Sequence, residues 1–321
     1  MLGNLTENRR RLWLLLKINL HQWCIIKQIM KNFFTISTSV FLLFSCKNDT
    51  GSLTTTFSFP NGLKEVSGII HHPDTDLIWA LEDSGNKNEV YGLDSKGEIA
   101  KTIVVGNTEN IDWEDITKDG EGNLYIGDFG NNDNVRQDLC IYKINNNSLN
   151  QENAVPAYKI SFAYPEQKDF PPKKTEMMFD VEGFFEFKNH FYLFTKNRSK
   201  GFDGTAFLYK IPNAAGFHQA VLMGKFKTCD SYNHCAITAA AMSPDETRIA
   251  ILTHDKIFLL ENFKEDHFLE GTQTVFALNH FSQKEAVCFK DNDLLLIADE
   301  RIKKTGGNVY EVNLSTLKSK P

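Results

Sequence analysis

The sequence predicts an all-β chain folded as a β-propeller of five four-stranded blades, and three observations carry that expectation. Short runs rich in Phe, Tyr, Ile, Val and Leu recur along a 321-residue chain with 25 Phe and 9 Tyr, as half-buried strands require. Beyond the N-terminal leader no stretch has the pattern of a long amphipathic helix, Glu261 to Glu270 offering at most a short one. A unit of acidic turn, strand, tight hairpin and strand returns in fixed order, the signature of a repeat fold. Its clearest copy is Ile111-Asp112-Trp113-Glu114-Asp115-Ile116-Thr117, followed by Asn123-Leu124-Tyr125-Ile126-Gly127-Asp128-Phe129-Gly130-Asn131-Asn132. A two-sheet sandwich would accept the strands but would not call for a recurring acidic turn.

The leader comes first. Met30-Lys31-Asn32 and the mainly apolar stretch to Phe44 have the form of a secretory signal, too short to span a bilayer as a mature helix. Leu43-Phe44-Ser45-Cys46 is similar to a bacterial lipoprotein box, with Cys46 as the lipidated N-terminus. Residues 1–29 then read as an extension upstream of a start at Met30, residues 30–45 as the signal, residues 46–53 as lipidated Cys and polar tether, and residues 54–315 as the propeller. Acyl chains would hold the protein on a membrane. The alternative, a membrane segment over residues 11–44, is interrupted by Lys17, His21, Lys27 and Lys31.

Five copies of the unit follow. Their inner strands start near Glu65, Asp112, Asp180, Ala236 and Glu285, and their hairpins turn at His72-Pro73-Asp74, Asp119-Gly120, Lys188-Asn189, Pro244-Asp245 and Asp291-Asn292. After the fifth copy only residues 313–321 remain, so the last blade lacks an outer strand. Thr54-Thr55-Thr56-Phe57-Ser58-Phe59, ahead of the first blade, supplies one, closing the ring and removing two sheet edges. Six blades are the alternative if residues 145–179 or 212–235 hide another. A monomer is expected.

In such a ring the turns into the inner strands and the turns leaving the second strands open on one face. They bring Ser67, Glu114, Glu182, Thr238 and Glu285 together with Asp83, Asp128, Lys196, His254 and Glu300. Glu65, Asp112, Asp180, Ala236 and Gln283 lie two residues before the first group, on the same side of each strand. Asn131, Asn132, Asn197, Arg198, Asp255 and Arg301 follow the second. Several carboxylates aimed at one axis call for counter-charge. Glu114, Glu182, Glu285 and Asp128 suit a hard cation, Ca²⁺ before Mg²⁺. The alternative is that the acids cap their own turns or pair with Lys196, Arg198 and Arg301.

Asp83, Asp128, Asn131, Asn132, Lys196, Arg198 and Glu300 are the candidate ligand-binding groups. Trp113 either stacks on a ligand or packs between blades, and His254 beside Asp255 is the candidate general base. Cys229 and Cys235 flank a polar loop short enough for a local disulfide, whereas Cys140 and Cys288 read as packed thiols. A net charge of -6 gives no footprint for nucleic acid, and serine-nucleophile and phosphate-loop signatures are absent.

Trp113-Glu114-Asp115, Gly127-Asp128-Phe129-Gly130-Asn131-Asn132 with Arg136, Asp180-Val181-Glu182-Gly183, Ser243-Pro244-Asp245 and Glu285-Ala286 together resemble the motifs of a family of exported bacterial β-propeller lipoproteins. The likeness covers most of residues 63–313, with Asn131 standing where the family has a second Asp. It implies fold and export, and no activity. A looser similarity, through the acidic turns alone, reaches calcium-dependent lactonase and phytase-like propellers. The expectation is therefore a lipid-anchored protein of the bacterial cell envelope, on the periplasmic or outer-membrane face, whose propeller mouth binds a small polar ligand, a glycan or a partner protein. The alternatives are a Ca²⁺-dependent hydrolase of lactones or phosphate esters, and a scaffold in an envelope complex.

Overall fold

Tight turns of the right chemistry set the strand order. Asp119 accepts bonds from the backbone N–H of Glu121 and Asn123, both at 2.9 Å. Lys188 and Asn189 both adopt positive φ, the paired left-handed geometry that matches the twist of a two-residue hairpin. The computed structural model describes residues 53–317; the leader, the signal, the tether up to residue 52 and Cys46 lie outside the described residues.

Strand β1 (Thr54–Ser58) precedes a first blade of β2 (Val66–His72), β3 (Leu77–Glu82), β4 (Glu89–Leu93) and β5 (Ile99–Val105). The second blade is β6 (Trp113–Lys118), β7 (Leu124–Asp128), β8 (Cys140–Ile144) and, after the two-residue β9 (Asn153–Ala154), β10 (Tyr158–Ala163). The third is β11 (Asp180–Phe187), β12 (His190–Lys196), β13 (Thr205–Pro212) and, after β14 (Gly216–Gln219), β15 (Val221–Lys227). One helical turn, α1 (Tyr232–Cys235), leads to the fourth: β16 (Ala239–Met242), β17 (Arg248–Leu252), β18 (Lys256–Glu261) and β19 (Thr272–Ala277). The fifth is β20 (Lys284–Phe289), β21 (Leu294–Asp299) and, after the small hairpin β22 (Arg301–Ile302) and β23 (Thr305–Gly306), β24 (Asn308–Asn313).

The inner strands pack side by side around a ring, β20 against β2. β1 pairs with β24 as the outermost strand of the fifth blade, so the closure expected from the sequence is the one the chain makes. The two long connections build no sixth blade. β9 instead adds a parallel strand outside β5, and β14 does the same outside β10; each covers an edge that would otherwise be open. The stretch Glu261 to Glu270 forms no α-helix. Asn262 and Glu265 take positive φ, and only Phe268–Glu270 winds into a 3₁₀ turn, because Phe263 and Phe268 fold inward as an edge-on pair. Among the described residues no helix is long and apolar enough to cross a membrane.

Large side chains fill the spaces between blades, Trp79 and Trp113 in one cluster and Phe129, Phe162, Phe184 and Phe191 in another. The inner strands come close enough that a Cβ on Gly183 would collide with the backbone of Ala239 and Ala240, and one on Gly68 with the backbone of Asp115. Glycine is required at both close approaches.

Candidate functional site

The same irregularity recurs where the inner strands begin. The register slips between Val66 and Gly68, Trp113 and Asp115, Val181 and Gly183, and Lys284 and Ala286. The extra residue in each case is Ser67, Glu114, Glu182 or Glu285. Such a bulge leaves one residue out of the ladder and re-aims its side chain, here toward the channel mouth.

Acidic groups gather there. Carboxylate oxygens of Asp83, Asp112 and Glu114 lie within 4.8 Å of one another, as do those of Glu114, Asp180 and Glu182, so Glu114 belongs to both groups. Asn110 brings the two blades into line. Its side-chain amide donates to the Glu82 and Asp83 carbonyls at 2.9 and 3.0 Å, while its oxygen accepts from Trp113 N–H at 3.0 Å. Asn131 makes the next link, its N–H donating to Asp180 Oδ1 at 2.7 Å and its amide to the Phe179 carbonyl at 3.2 Å. Asn132, beside it, is exposed.

Charge divides the mouth into two sectors. The acids Asp180 and Glu182 of the third blade and Glu285 of the fifth are compensated by cations of the third and fourth blades. Arg198 donates to Asp180 at 2.5 Å and to Glu182 at 2.7 Å, Lys196 sits 3.0 Å from Glu182, and His254 Nε2 lies 3.3 Å from Glu285. Burial pushes the Glu285 carboxyl up, but Lys196, His254 and Arg198 together hold it below its usual range. Around Asp83, Asp112, Glu114 and Glu300 no ion pair forms among the described residues; Arg136 lowers Asp112 and Lys196 lowers Glu300 only from a distance. Burial and then the neighbouring Asp83 carboxylate push Asp112 up to about 7, and burial with Glu285, Asp83 and Glu65 pushes Glu300 up to about 8. Glu114 is raised well above the glutamate range by burial and by Glu182, Asp180, Asp83 and Asp112. It is 8% exposed, and its carboxylate has no hydrogen bond or ion pair among the described residues.

Two expected positions differ. Asp128 is not a mouth residue: it pairs with Trp113 in the register, level with Glu82, Thr195 and Asp299, which pair with Val66, Val181 and Lys284. The residue level with Asp83, Lys196 and Glu300 is Phe129. A one-residue offset turns a side chain to the other face, so Asp128 is fully buried, ion-paired with Arg136 Nη2 at 2.8 Å and accepting from Asp112 N–H at 3.2 Å. It holds the turn that carries Asp112 and is not placed among the metal-capable oxygens. Trp113 is fully buried in the apolar cluster between the first two blades and offers no stacking face.

The rim is aromatic on the compensated side. Cys229 and Cys235 are joined, with Cα atoms 5.4 Å apart, and the loop they close supplies Tyr232, Asn233 and His234. Tyr232 accepts from Arg198 Nη1 at 2.8 Å. The Asn233 carbonyl faces His254 Nδ1 at 3.1 Å, and His234 pairs with Asp255 at 2.7 Å. Phe281, 55% exposed, meets the rings of His234 and His254 at 5.1 and 5.7 Å. Phe281 and Tyr232 carry no motif, and only the disulfide spacing and the nearby histidines point toward them in the sequence.

Lys284 was also silent. It stands where the other inner strands carry Val66, Trp113, Val181 and Ile237, yet it is fully buried. Its ammonium donates to the His254 and His280 carbonyls, to Ser282 Oγ and to His280 Nδ1, all between 2.8 and 3.1 Å. Burial brings it down to about 8.

No protein-family model matches the chain, and no curated protein matches it. Solved structures similar to it include the PQQ-bound aldose sugar dehydrogenase of Streptomyces coelicolor, at 10% identity over 82% of this chain and 98% of that one, TM-score 0.46. A gluconolactonase from Xanthomonas campestris matches at 10% identity over 83% of this chain and 89% of that one, TM-score 0.42. The structure of U3-55K matches at 11% identity over 82% of this chain and 99% of that one, TM-score 0.41. These likenesses carry no argument about activity.

Proposed function

We propose that the uncompensated sector of the mouth holds a divalent cation, Ca²⁺ before Mg²⁺, on Asp83, Asp112 and Glu114, and that the cation and the rim together bind a small polar ligand of the sugar or glycan type. The observation that carries this reading is Glu114, a carboxylate more than nine-tenths buried, unpartnered, and ringed by four other acids. A hard cation with oxygen ligands at about 2.3–2.6 Å would fit between oxygens spaced as these are, and it would relieve the repulsion that otherwise forces protons onto the site. Hydroxyl groups of a ligand would complete its coordination. Phe281 and Tyr232 would supply an apolar face for a sugar ring, and Lys196, Arg198, Asn132 and Glu300 polar contacts around it.

A Ca²⁺-dependent hydrolase of lactones or phosphate esters is the second reading, with His254 as base. Both His254 ring nitrogens are occupied, by the Asn233 carbonyl and by Glu285, so neither is open to a water in this arrangement, and binding is the reading we prefer. With the leader read as a lipoprotein signal, the site would work in the bacterial envelope; mass spectrometry of the mature N-terminus tests cleavage before Cys46.

The test is calorimetric titration with Ca²⁺, then with neutral mono- and oligosaccharides in Ca²⁺ and in chelator. The proposal predicts saturable Ca²⁺ binding, and sugar binding that chelation abolishes and Phe281→Ala weakens. Absence of Ca²⁺ binding, or sugar binding indifferent to chelator, would sink it.

A further inference from the structure

The opposite end of the channel carries charges of both signs, with Asp119, Glu186 and Glu246 on one side of Lys118 and a group of bases on the other. There the inner hairpins of the first, second, fourth and fifth blades converge on a cleft of ≈ 310 Å³ lined by the bases His71, Lys118 and Lys290, by Phe289, Pro73 and Pro244, and by Asp291 and Asn292 of the fifth hairpin. His71 and Lys118 occupy equivalent positions, three residues beyond Gly68 and Asp115, which the register places level with each other; Lys290 directly follows β20.

Three basic side chains from three blades thus face one space that holds a single lining acid, Asp291, whose Oδ1 is taken up by the backbone N–H groups of Asp293 and Leu294. His71 Nε2 is 3.6 Å from Asp76, whose side chain is almost wholly in solvent, and Lys290 is 3.6 Å from a partly exposed Glu311. Exposed pairs of that length contribute little. The Lys118 ammonium has no hydrogen bond or ion pair among the described residues, the nearby Asp119 being taken up by Glu121, Asn123, Tyr125 and Lys143. The bases lie within each other's field: burial lowers the His71 pKa, Asp76 opposes that, and Lys290 and Lys118 lower it further. Like charges held together without a counter-ion are as unfavourable for bases as for acids.

We propose that this cleft binds the phosphate group of a phosphate ester, with Lys118 and Lys290 as its charge partners, His71 as a third donor, and Phe289 with the two prolines against the ester's apolar body. Lysines serve phosphate as compact point charges, and a site of a few hundred cubic ångströms lined by apolar walls and a few convergent polar groups suits a small ligand.

Two sources could present that chemistry, a soluble phosphomonoester or the phosphodiester of a lipid headgroup. Topology keeps the second open. Thr54 pairs with Glu311, and Leu53 packs with Val312 and Leu314 beside the fifth hairpin, so the described chain starts at this same face.

The experiment titrates the full-length chain with phenyl phosphate, inorganic phosphate and monomeric dihexanoylphosphatidylglycerol, and repeats this with Lys118→Gln and Lys290→Gln after their melting temperatures confirm folding. At least one ester should bind saturably and more tightly than inorganic phosphate, and each variant should weaken it about tenfold. Tighter binding of phenyl phosphate assigns the site to a soluble monoester, and tighter binding of the lipid assigns it to a headgroup. If neither ester saturates the protein, or if the folded variants bind as the parent does, the proposal is overturned. The cation site at the other mouth plays no part in this outcome.

Discussion

Replacing Glu114 by Gln keeps the shape of the side chain and removes its charge, and the structure gives the size of the effect. With carboxylate oxygens of Asp83, Asp112 and Glu114 within 4.8 Å of one another, each charged pair repels by about 3 kcal/mol at an effective dielectric of about 20. Asp112, itself raised to about 7, carries only part of its charge near neutral pH, so burial and Asp83 supply most of what is set against the cost of protonating Glu114 about three pH units above the ordinary glutamate pKa, about 4 kcal/mol. Burial and these neighbouring acids favour a proton on Glu114 in metal-free protein, and that cost is the ceiling on what Gln can gain. Because the folded-state pKa of Glu114 lies above its unfolded value, the parent keeps full stability below the unfolded pKa and loses it as pH rises toward the folded one. Glu114→Gln should thus stabilise chelated protein by about 2–4 kcal/mol near neutral pH and by little near pH ~4, while losing the stabilisation that Ca²⁺ gives the parent. Urea unfolding in chelator and in Ca²⁺, at two pH values, reads all of this. A variant less stable than the parent in chelator, or a gain that does not change with pH, would refute the reasoning.

Arg198→Met should cost about 3 kcal/mol or more in urea unfolding, because Asp180 and Glu182 remain buried without the guanidinium that joins them. Gly183→Ala should lower stability by about 2 kcal/mol or more, since its Cβ meets backbone of the neighbouring blade that cannot swing aside; an unchanged melting temperature would show that the inner strands are farther apart than described. Converting Cys229 and Cys235 both to Ala should cost about 2 kcal/mol for so short a loop and weaken ligand binding at the rim, read by calorimetry. Lys284→Met should destabilise by about 1–3 kcal/mol by leaving buried acceptors unpaired. In the parent, the Lys284 pKa is depressed to about 8, so its contribution improves as pH rises from there toward the unfolded lysine value.

The repeat and its closure were legible because each blade restates the same pattern, and because Thr54 to Phe59 had no other partner. Asp112, Asp180, Glu114 and Glu182 could be placed at one mouth from their two-residue spacing alone. The bulge that turns Glu114 and Glu182 inward could not be read from composition, yet it recurs at one position in four blades. Asp128 was misplaced because Gly-Asp-Phe-Gly resembles an exit turn one residue early, and strand register turns on a single residue. The buried Asn110, which sets Asp83 beside Asp112, looked like any loop asparagine. The far-face bases, His71, Lys118 and Lys290, are ordinary strand-end residues in sequence and become a group only when the ring closes.

The central claim is a cation on the uncompensated acids, and anomalous diffraction from a crystal grown in Ca²⁺ tests it most directly. The account predicts a peak enclosed by oxygens of Asp83, Asp112 and Glu114, absent from Glu114→Gln crystals grown the same way. A mouth without a peak, or a peak that survives the substitution, would contradict it.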